Sequence, residues 1–346
     1  MGRKLKVVGV GAVVAAVALL AAGCGTTGST AAGGAHTITL YNGQHQQTTQ
    51  ALVAAFERQT GIAVKERDGD EDALAEQIEQ EGSGSPADVI YTENSLALQN
   101  LDSHGLLAPV SPSTLSVTPS QYNSPNGNWV GVSARVSALV YNTGKASASQ
   151  MPTSVMDLAN PKWKGKLALA PTETDFLPII SSIAKAKGKA AALSWLNAVK
   201  ANASSHIYPD NETVTADVNA GQAELGLING YYWFRLRAEI GSKKIHSALA
   251  FFAPRDPGYV VDVSGAGLLK SSKHQADAQK FLAFLVSKQG QQILAHSDSF
   301  EYPLTPGVAP APGLQPFAQL QPAPISVADL GDGSEALQLL QEAQLA

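Results

Sequence analysis

Four consecutive aromatic residues after an Asn-Gly pair are the most unusual chemical feature of this sequence. Residues 228–234 read Ile-Asn-Gly-Tyr-Tyr-Trp-Phe, whereas aromatic residues make up only 6% of the chain. Adjacent phenols can serve as oxygen donors or as part of a stacking surface. Taken alone, however, the segment is more typical of a turn followed by an aromatic helix start that packs in the core.

Carboxylates and one histidine follow several predicted strands. His45 comes after the first strand, Glu93 after the third, and Glu173 and Asp175 after a strand in the second half of the chain. Open α/β sheets place ligands at the carboxyl ends of their strands. A pairing of Glu93 with Glu173 or Asp175 keeps open an exported hydrolase that uses two carboxylates. The sequence has no Gly-x-Ser-x-Gly, His-Glu-x-x-His or phosphate-loop motif.

One acidic segment has the spacing of a calcium-binding loop. Its acids match positions 1, 3, 5 and 12 of an EF-hand, namely Asp68, Asp70, Asp72 and Glu79. Position 6 should be glycine for its sharp turn but is Ala73. The apolar residues that follow have helical spacing, so we interpret the first acids as the N-terminus of a helix.

The elements that must position these side chains alternate between strand and helix. Hydrophobic periodicity predicts strands at residues 37–41, 62–66, 88–91, 138–141, 166–170, 225–228, 248–252 and 260–263. It predicts helices at residues 46–59, 72–81, 176–187, 190–200, 276–287, 290–295 and 335–345, and one that starts near Tyr231. This alternation predicts an α/β protein with largely parallel sheets. The proline-rich residues 302–324 should run extended.

The first residues have the pattern of an export signal. Basic residues precede an uncharged apolar run at 7–20, and small residues then lead to Cys24, as in a lipobox. We expect a signal peptide at 1–23, a lipid on Cys24 and a flexible tether at 24–36. Cys24 is the only cysteine, which excludes disulfides and thiolate metal sites. Removal of the signal takes the formal net charge from −5 to −8, so nucleic acid is not an expected partner.

Six short motifs spread over the chain resemble those of bacterial periplasmic ferric-ion-binding proteins, the receptors of ABC-type iron importers. They are Tyr41-Asn42-Gly43-Gln44-His45, Ser85-Pro86-Ala87-Asp88-Val89, Pro161-Lys162-Trp163, Asn229-Gly230-Tyr231-Tyr232-Trp233, Arg255-Asp256-Pro257-Gly258 and Glu301-Tyr302-Pro303-Leu304. The resemblance implies a two-lobed type II periplasmic-binding-protein fold. Each lobe would be a mixed, mostly parallel sheet flanked by helices. We expect an N-lobe of 37–136 plus 263–312, a C-lobe of 137–262 plus 313–346, and two hinge crossovers between them.

The same resemblance implies the metal ligands. By motif they are His45, Glu93, Tyr231 and Tyr232. Two tyrosinates and one carboxylate would neutralise Fe³⁺, which prefers oxygen donors. A free tyrosine titrates near about 10, so only a strongly acidic metal would hold two phenolates near neutral pH. Binding should therefore release protons and weaken in acid.

A bound phosphate or carbonate completes the coordination in this family, and the corresponding segment departs from the family pattern. Two asparagines that hold the anion match as Asn211 and Asn229. The Ser-Gly pair at a helix N-terminus does not match, because Glu173-Thr174-Asp175 stands there. Either an acidic side chain replaces the anion, or this is an ordinary helix start with Asp175 as its N-cap.

The resemblance predicts a monomeric, non-enzymatic receptor that captures ferric iron outside the cytoplasmic membrane and passes it to an ABC permease. The alternative within binding proteins is a type II receptor for an organic anion, with the aromatic residues as a stacking wall. The alternative from another class is the carboxylate-dependent hydrolase.

Overall fold

The computed structural model describes residues 36–346. The predicted signal peptide, the lipidated Cys24 and all but the last residue of the predicted tether lie outside these residues. The strands within them are β1 (Thr37–Gly43), β2 (Ala63–Asp68), β3 (Val89–Thr92), β4 (Leu107–Ala108), β5 (Trp129–Asn142), β6 (Leu167–Ala168), β7 (Leu225–Asn229), β8 (Ser247–Ala250), β9 (Val261–Leu269) and β10 (Tyr302–Pro303).

The helices surround this sheet framework. They are α1 (Gln46–Thr60), α2 (Glu71–Glu81), α3 (Ser95–Ser103), α4 (Pro112–Leu115), α5 (Leu177–Lys187), α6 (Lys189–Ala203), α7 (Asn211–Ala220), α8 (Gly230–Ile240), α9 (Gln275–Leu285), α10 (Lys288–Ala295), α11 (Val327–Leu330) and α12 (Ser334–Glu342). No helix among residues 36–346 is long and apolar enough to cross a membrane.

Strand β5 links two groups of strands. The sheet order is β2-β1-β3-β9-β5-β7-β6, with β4 beside β9 and both β8 and β10 beside β5. The first part of β5, up to Val136, pairs with β9, whereas the part from Ser137 onward pairs with β7 and β8. The same strand therefore belongs to both groups and changes partners between Val136 and Ser137. The division into lobes at these positions stays a prediction.

The sheets are mixed, as predicted, but the expectation of mostly parallel pairing is wrong. Parallel pairing joins β1 to β2 and β3, and β6 to β7. The long strands β5 and β9 run antiparallel to each other and to their other neighbours in the described sheet. Both strands are fully buried, so their apolar runs have no period of two that would have revealed their length.

The segment with calcium-loop spacing is a helix start. The side chain of Asp70 accepts a hydrogen bond from the backbone N–H of Ala73 at 2.9 Å and caps α2. Asp68 accepts hydrogen bonds from Asn42 and Gln46. Within residues 36–346 no group of three His, Cys, Asp or Glu side chains is arranged to hold a metal ion. A metal site in this chain therefore needs donors of another type.

Candidate metal centre

The backbone brings the candidate residues to one place because they follow strand ends that lie side by side. Gly43 at the end of β1 pairs in parallel with Thr92 at the end of β3, so His45 and Glu93 emerge together. Gly43 must be glycine, since an added Cβ would lie 2.6 Å from the Cβ of Glu71. In the other group of strands, Asn229 at the end of β7 pairs with Ser137 of β5, and α8 begins at once.

His45 and Glu93 form a buried ion pair. His45 Nδ1 lies 2.9 Å from Glu93 Oε1. Burial alone would lower the pKa of His45, but its hydrogen bond with Glu93 and the charge of that carboxylate raise it. Burial would raise the pKa of Glu93, but the hydrogen bond and charge of His45 lower it, helped by Arg135. The Nε2 atom of His45 is buried and makes no hydrogen bond, so it is free to bind a metal.

Tyr231 and Tyr232 lie in the first turn of α8 and stack on each other. Their ring centroids are 4.1 Å apart, and Tyr231 also contacts the His45 ring edge-on at 5.5 Å. Both tyrosines are buried. Burial raises the pKa of each phenol well above its usual value, and the charge of Asp175 raises it further. Without a cation of high charge, both phenols therefore keep their protons at neutral pH.

Asp175 accepts hydrogen bonds from both phenols. The hydroxyl of Tyr231 lies 3.2 Å and that of Tyr232 2.9 Å from its Oδ2 atom. Its Oδ1 atom accepts a hydrogen bond of 2.8 Å from Arg135. The side chain does not cap α5, which starts after Phe176 without a side-chain cap. Asp175 therefore belongs to the tyrosine site rather than to an ordinary helix start.

The other residues of the departing segment lie around the tyrosines. Glu173 reaches Tyr232 at 3.5 Å and accepts a hydrogen bond from the backbone N–H of Asn211 at 3.3 Å. Burial, together with the charges of Asp175 and Glu212, raises the pKa of Glu173 to about 8. Thr174 donates to the buried carboxylate of Glu71 at 3.3 Å.

The two asparagines that matched the anion-holding positions of the family lie at the edge of this arrangement. Asn211 is the first residue of α7, a helix that was not predicted from the sequence. Asn229 is the last residue of β7 and directly precedes Tyr231's helix α8. Both asparagines are buried.

Arg135 is a central residue of the site that the sequence reasoning missed. It lies on β5 and is only 1% exposed. Its Nη1 atom is 2.8 Å from Asp175 and 3.3 Å from Glu93, and its Nη2 atom is 3.6 Å from Glu301. The missed signal was a single charged residue within an otherwise uncharged, buried 14-residue strand, because a buried arginine requires anionic partners.

A cavity of about 310 Å³ opens beside these residues. Its lining includes Glu93, Glu173 and Thr174, and all of its charged lining residues are acidic: Asp68, Asp70, Glu71, Glu93 and Glu173. The described residues that line this cavity thus include no lysine or arginine. Its electrostatic character favours a cation over an anion.

Comparison with known proteins identifies the family. The model of the bacterial extracellular solute-binding proteins matches residues 84–320. The chain belongs to this family. The family consists of solute-binding proteins rather than enzymes.

Relatives within the family include proteins named for iron. The Fe(3+)-binding periplasmic protein of Serratia marcescens is 41% identical over 318 residues, which cover 92% of this chain and 93% of that protein. The crystal structure of iron-bound HitA from Pseudomonas aeruginosa is similar with a TM-score of 0.84 and 44% identity, covering 89% of this chain and 99% of that chain.

A second solved structure, Trichodesmium IdiA (FutA) in complex with iron and citrate ligands, has a TM-score of 0.81 and 30% identity and covers 90% and 100% of the two chains. These matches confirm the resemblance to periplasmic ferric-ion-binding proteins and the two-lobed binding-protein fold. The roles of individual residues as ligands stay predictions.

Proposed function

We propose that this solute-binding protein captures ferric iron with His45, Glu93, Tyr231 and Tyr232. The observation that carries the proposal is the stacked pair of buried phenols beside the His45–Glu93 pair, with the Nε2 atom of His45 free of hydrogen bonds. Two phenolates and a carboxylate supply three negative charges from hard oxygen donors, which suits Fe³⁺. Relatives at 41% and 44% identity carry iron in their names.

The acidic cavity argues against an organic anion as the ligand. An anion in this cavity would face carboxylates and find no cationic side chain among the described lining residues. A hydrated iron ion fits, since six waters at about 30 Å³ each occupy ~180 Å³ and the cavity holds about 310 Å³. A hydrolase is also disfavoured, because Arg135 is paired with both Glu93 and Asp175.

The test of this function is a visible spectrum of the soluble domain during titration with ferric iron. Charge transfer from tyrosinate to iron(III) should produce a coloured band that saturates at one iron per chain. Because burial raises the pKa of both phenols, iron must displace their protons, so the band should fade as the pH is lowered. A protein that stays colourless with ferric iron at every pH contradicts the proposal, whereas gallium(III), which gives no such band, controls for added salt.

We further infer that the protein works outside the cytoplasmic membrane and delivers iron to an ABC permease. Relatives described as periplasmic and the match to extracellular solute-binding proteins support this location. The basic residues, apolar run and Cys24 at the start of the sequence support a signal peptide and lipid anchor. A monomer is sufficient for this role.

Replacement of Cys24 by serine is expected to abolish attachment to the membrane. Without the thiol there is no atom to carry the diacylglyceryl group, and one further chain alone anchors only marginally. Fractionation and mass spectrometry of the mature N-terminus should find no acyl group. Ser29→Ala in the same segment is the control and should stay lipidated. Normal acylation of the Cys24→Ser protein would show that the lipobox interpretation is wrong.

We also propose that Asp175, assisted by Glu173, takes the place of the external anion used elsewhere in this family. Asp175 already contacts both phenol oxygens. Glu173 occupies the backbone N–H at the start of α7, which would otherwise attract a free anion. Phosphate or carbonate would be repelled by both acids.

A further inference from the structure

The two ends of the Arg135 guanidinium are used differently. Its Nη1 atom donates hydrogen bonds to Asp175 at 2.8 Å and to Glu93 at 3.3 Å. Its Nη2 atom faces Glu301 Oε1 at 3.6 Å, and neither of these buried atoms has a hydrogen-bond partner. A buried donor and a buried acceptor are thus left unused side by side.

Glu301 is otherwise firmly held. It is only 1% exposed, and its Oε2 atom accepts hydrogen bonds from Ser133 at 2.6 Å and from Gln44 at 3.2 Å. Its Oε1 atom is therefore fixed in position opposite Arg135. A shift of less than 1 Å would bring Arg135 Nη2 into hydrogen-bond distance of it.

The carboxylates on the other side of Arg135 are the ones that iron would take. Glu93 is a proposed ligand, and Asp175 contacts both proposed tyrosinates. A buried carboxylate without a counter-ion is costly, so the iron-free site needs a cation, and Arg135 provides it. When a trivalent ion arrives it claims these carboxylates and repels the guanidinium, which then needs a different partner.

We propose that Arg135 takes the place of the metal's charge in the iron-free site and transfers to Glu301 when iron binds. This inference rests on the proposed iron function. Arg135 and Glu301 are positioning residues: neither binds iron, and Glu301 acts by accepting the guanidinium so that Arg135 no longer competes with iron for Glu93 and Asp175.

A double-mutant cycle on iron affinity tests the coupling. Glu301→Gln leaves Arg135 with only the two contested carboxylates, so iron affinity, measured by competition with a chelator, should fall by about tenfold or more, the range typical of residues that support metal ligands. In an Arg135→Gln background the same Glu301→Gln change should alter affinity by less than about threefold, because the competing cation is gone. Glu224→Gln, which removes a glutamate paired with Lys166 outside the site, should leave affinity unchanged.

An equal effect of Glu301→Gln with and without Arg135 would overturn the proposal, because Glu301 would then act by another route, such as its contact with Gln44 next to His45. If the Arg135 variant fails to fold, crystal structures of the unaltered protein decide. With iron bound, Arg135 should hydrogen-bond Glu301 and release Glu93. Retention of the Nη1 contacts in an iron-loaded crystal overturns the inference but leaves the iron function intact. Failure to bind iron at all removes both.

Discussion

Replacement of both Tyr231 and Tyr232 by phenylalanine is expected to abolish the coloured iron complex and to weaken iron binding by more than about a hundredfold. Loss of a residue that only supports a metal ligand costs about 10–100-fold in affinity, so loss of two anionic ligands should cost more. Each single variant should weaken the band and the affinity to a smaller degree. The measurements are the visible spectrum and iron affinity by chelator competition.

The fold should survive these substitutions. Phenylalanine keeps the ring that packs in the cluster around α7 and α8, and only the two hydroxyl contacts to Asp175 are lost. Asp175 keeps its hydrogen bond from Arg135, so we expect a loss of only about 1 kcal/mol in the free energy of unfolding for each hydrogen bond. The thermal midpoint and circular dichroism report this directly.

Tyr208→Phe is the matched control. Tyr208 packs against the same cluster and bonds His206 rather than Asp175. Its loss should leave colour and affinity unchanged. Full-strength iron binding in the double phenylalanine variant would show that the tyrosines are core residues, as the aromatic segment alone suggested.

The sequence was informative where a chemical group directly follows a strand. His45 and Glu93 were predicted to meet because they follow strands predicted to be parallel, and β1 and β3 are indeed paired in parallel with their ends in register. Helix α8 was predicted to start at the Tyr-Tyr pair and begins one residue earlier. These predictions depended only on local pattern and on the general geometry of α/β sheets.

The contacts across the site could not be predicted in this way. Arg135 is 40 residues from Asp175 and 42 from Glu93 along the chain, and only the partner change within β5 brings them together. Helix α7 was also missed, because its sequence contains four β-branched or polar residues of low helix propensity in its first half and little apolar periodicity. Tertiary packing decides such segments.

The orientation of Asp175 also lay beyond sequence reasoning. Residues 173–175 fit an acid aimed at the site and an N-cap equally well, since both uses need a carboxylate just before a helix. The geometry separates the two alternatives: Asp175 makes no capping bond and accepts from both phenols. Its consequence for iron binding is therefore open to a direct test.

Iron binding by the unaltered protein is expected to be nearly independent of added phosphate or carbonate. Asp175 supplies a carboxylate at 2.9–3.2 Å from the phenol oxygens, where it can bind the metal directly or through a water. Iron affinity should thus be the same in anion-stripped buffer and in phosphate. The relative solved with iron and citrate ligands is a useful comparison protein, because it is described with an external anion.

Combined replacement of Glu173 by serine and Asp175 by glycine is expected to make iron binding depend on an anion. Without Asp175, Arg135 loses its 2.8 Å partner and presents an unpaired cation to the cavity. Without Glu173, the backbone N–H of Asn211 at the start of α7 is free to bind phosphate. In anion-stripped buffer the variant should bind iron about a hundredfold more weakly than the unaltered protein, and phosphate should restore most of the loss.

Asp157→Gly, at an exposed position on another short helix, is the control and should show no anion dependence. Two results would contradict the substitution of an acid for the anion. The unaltered protein, once stripped of anions, would fail to bind iron until phosphate or carbonate is restored, or the double variant would stay anion-independent. The first result would mean that Asp175 moves away when iron arrives and that an external anion enters despite the acidic lining. The second would mean that the ligands His45, Glu93, Tyr231 and Tyr232 hold the ion with water alone, and that the contact of Asp175 with the phenols serves only the iron-free state.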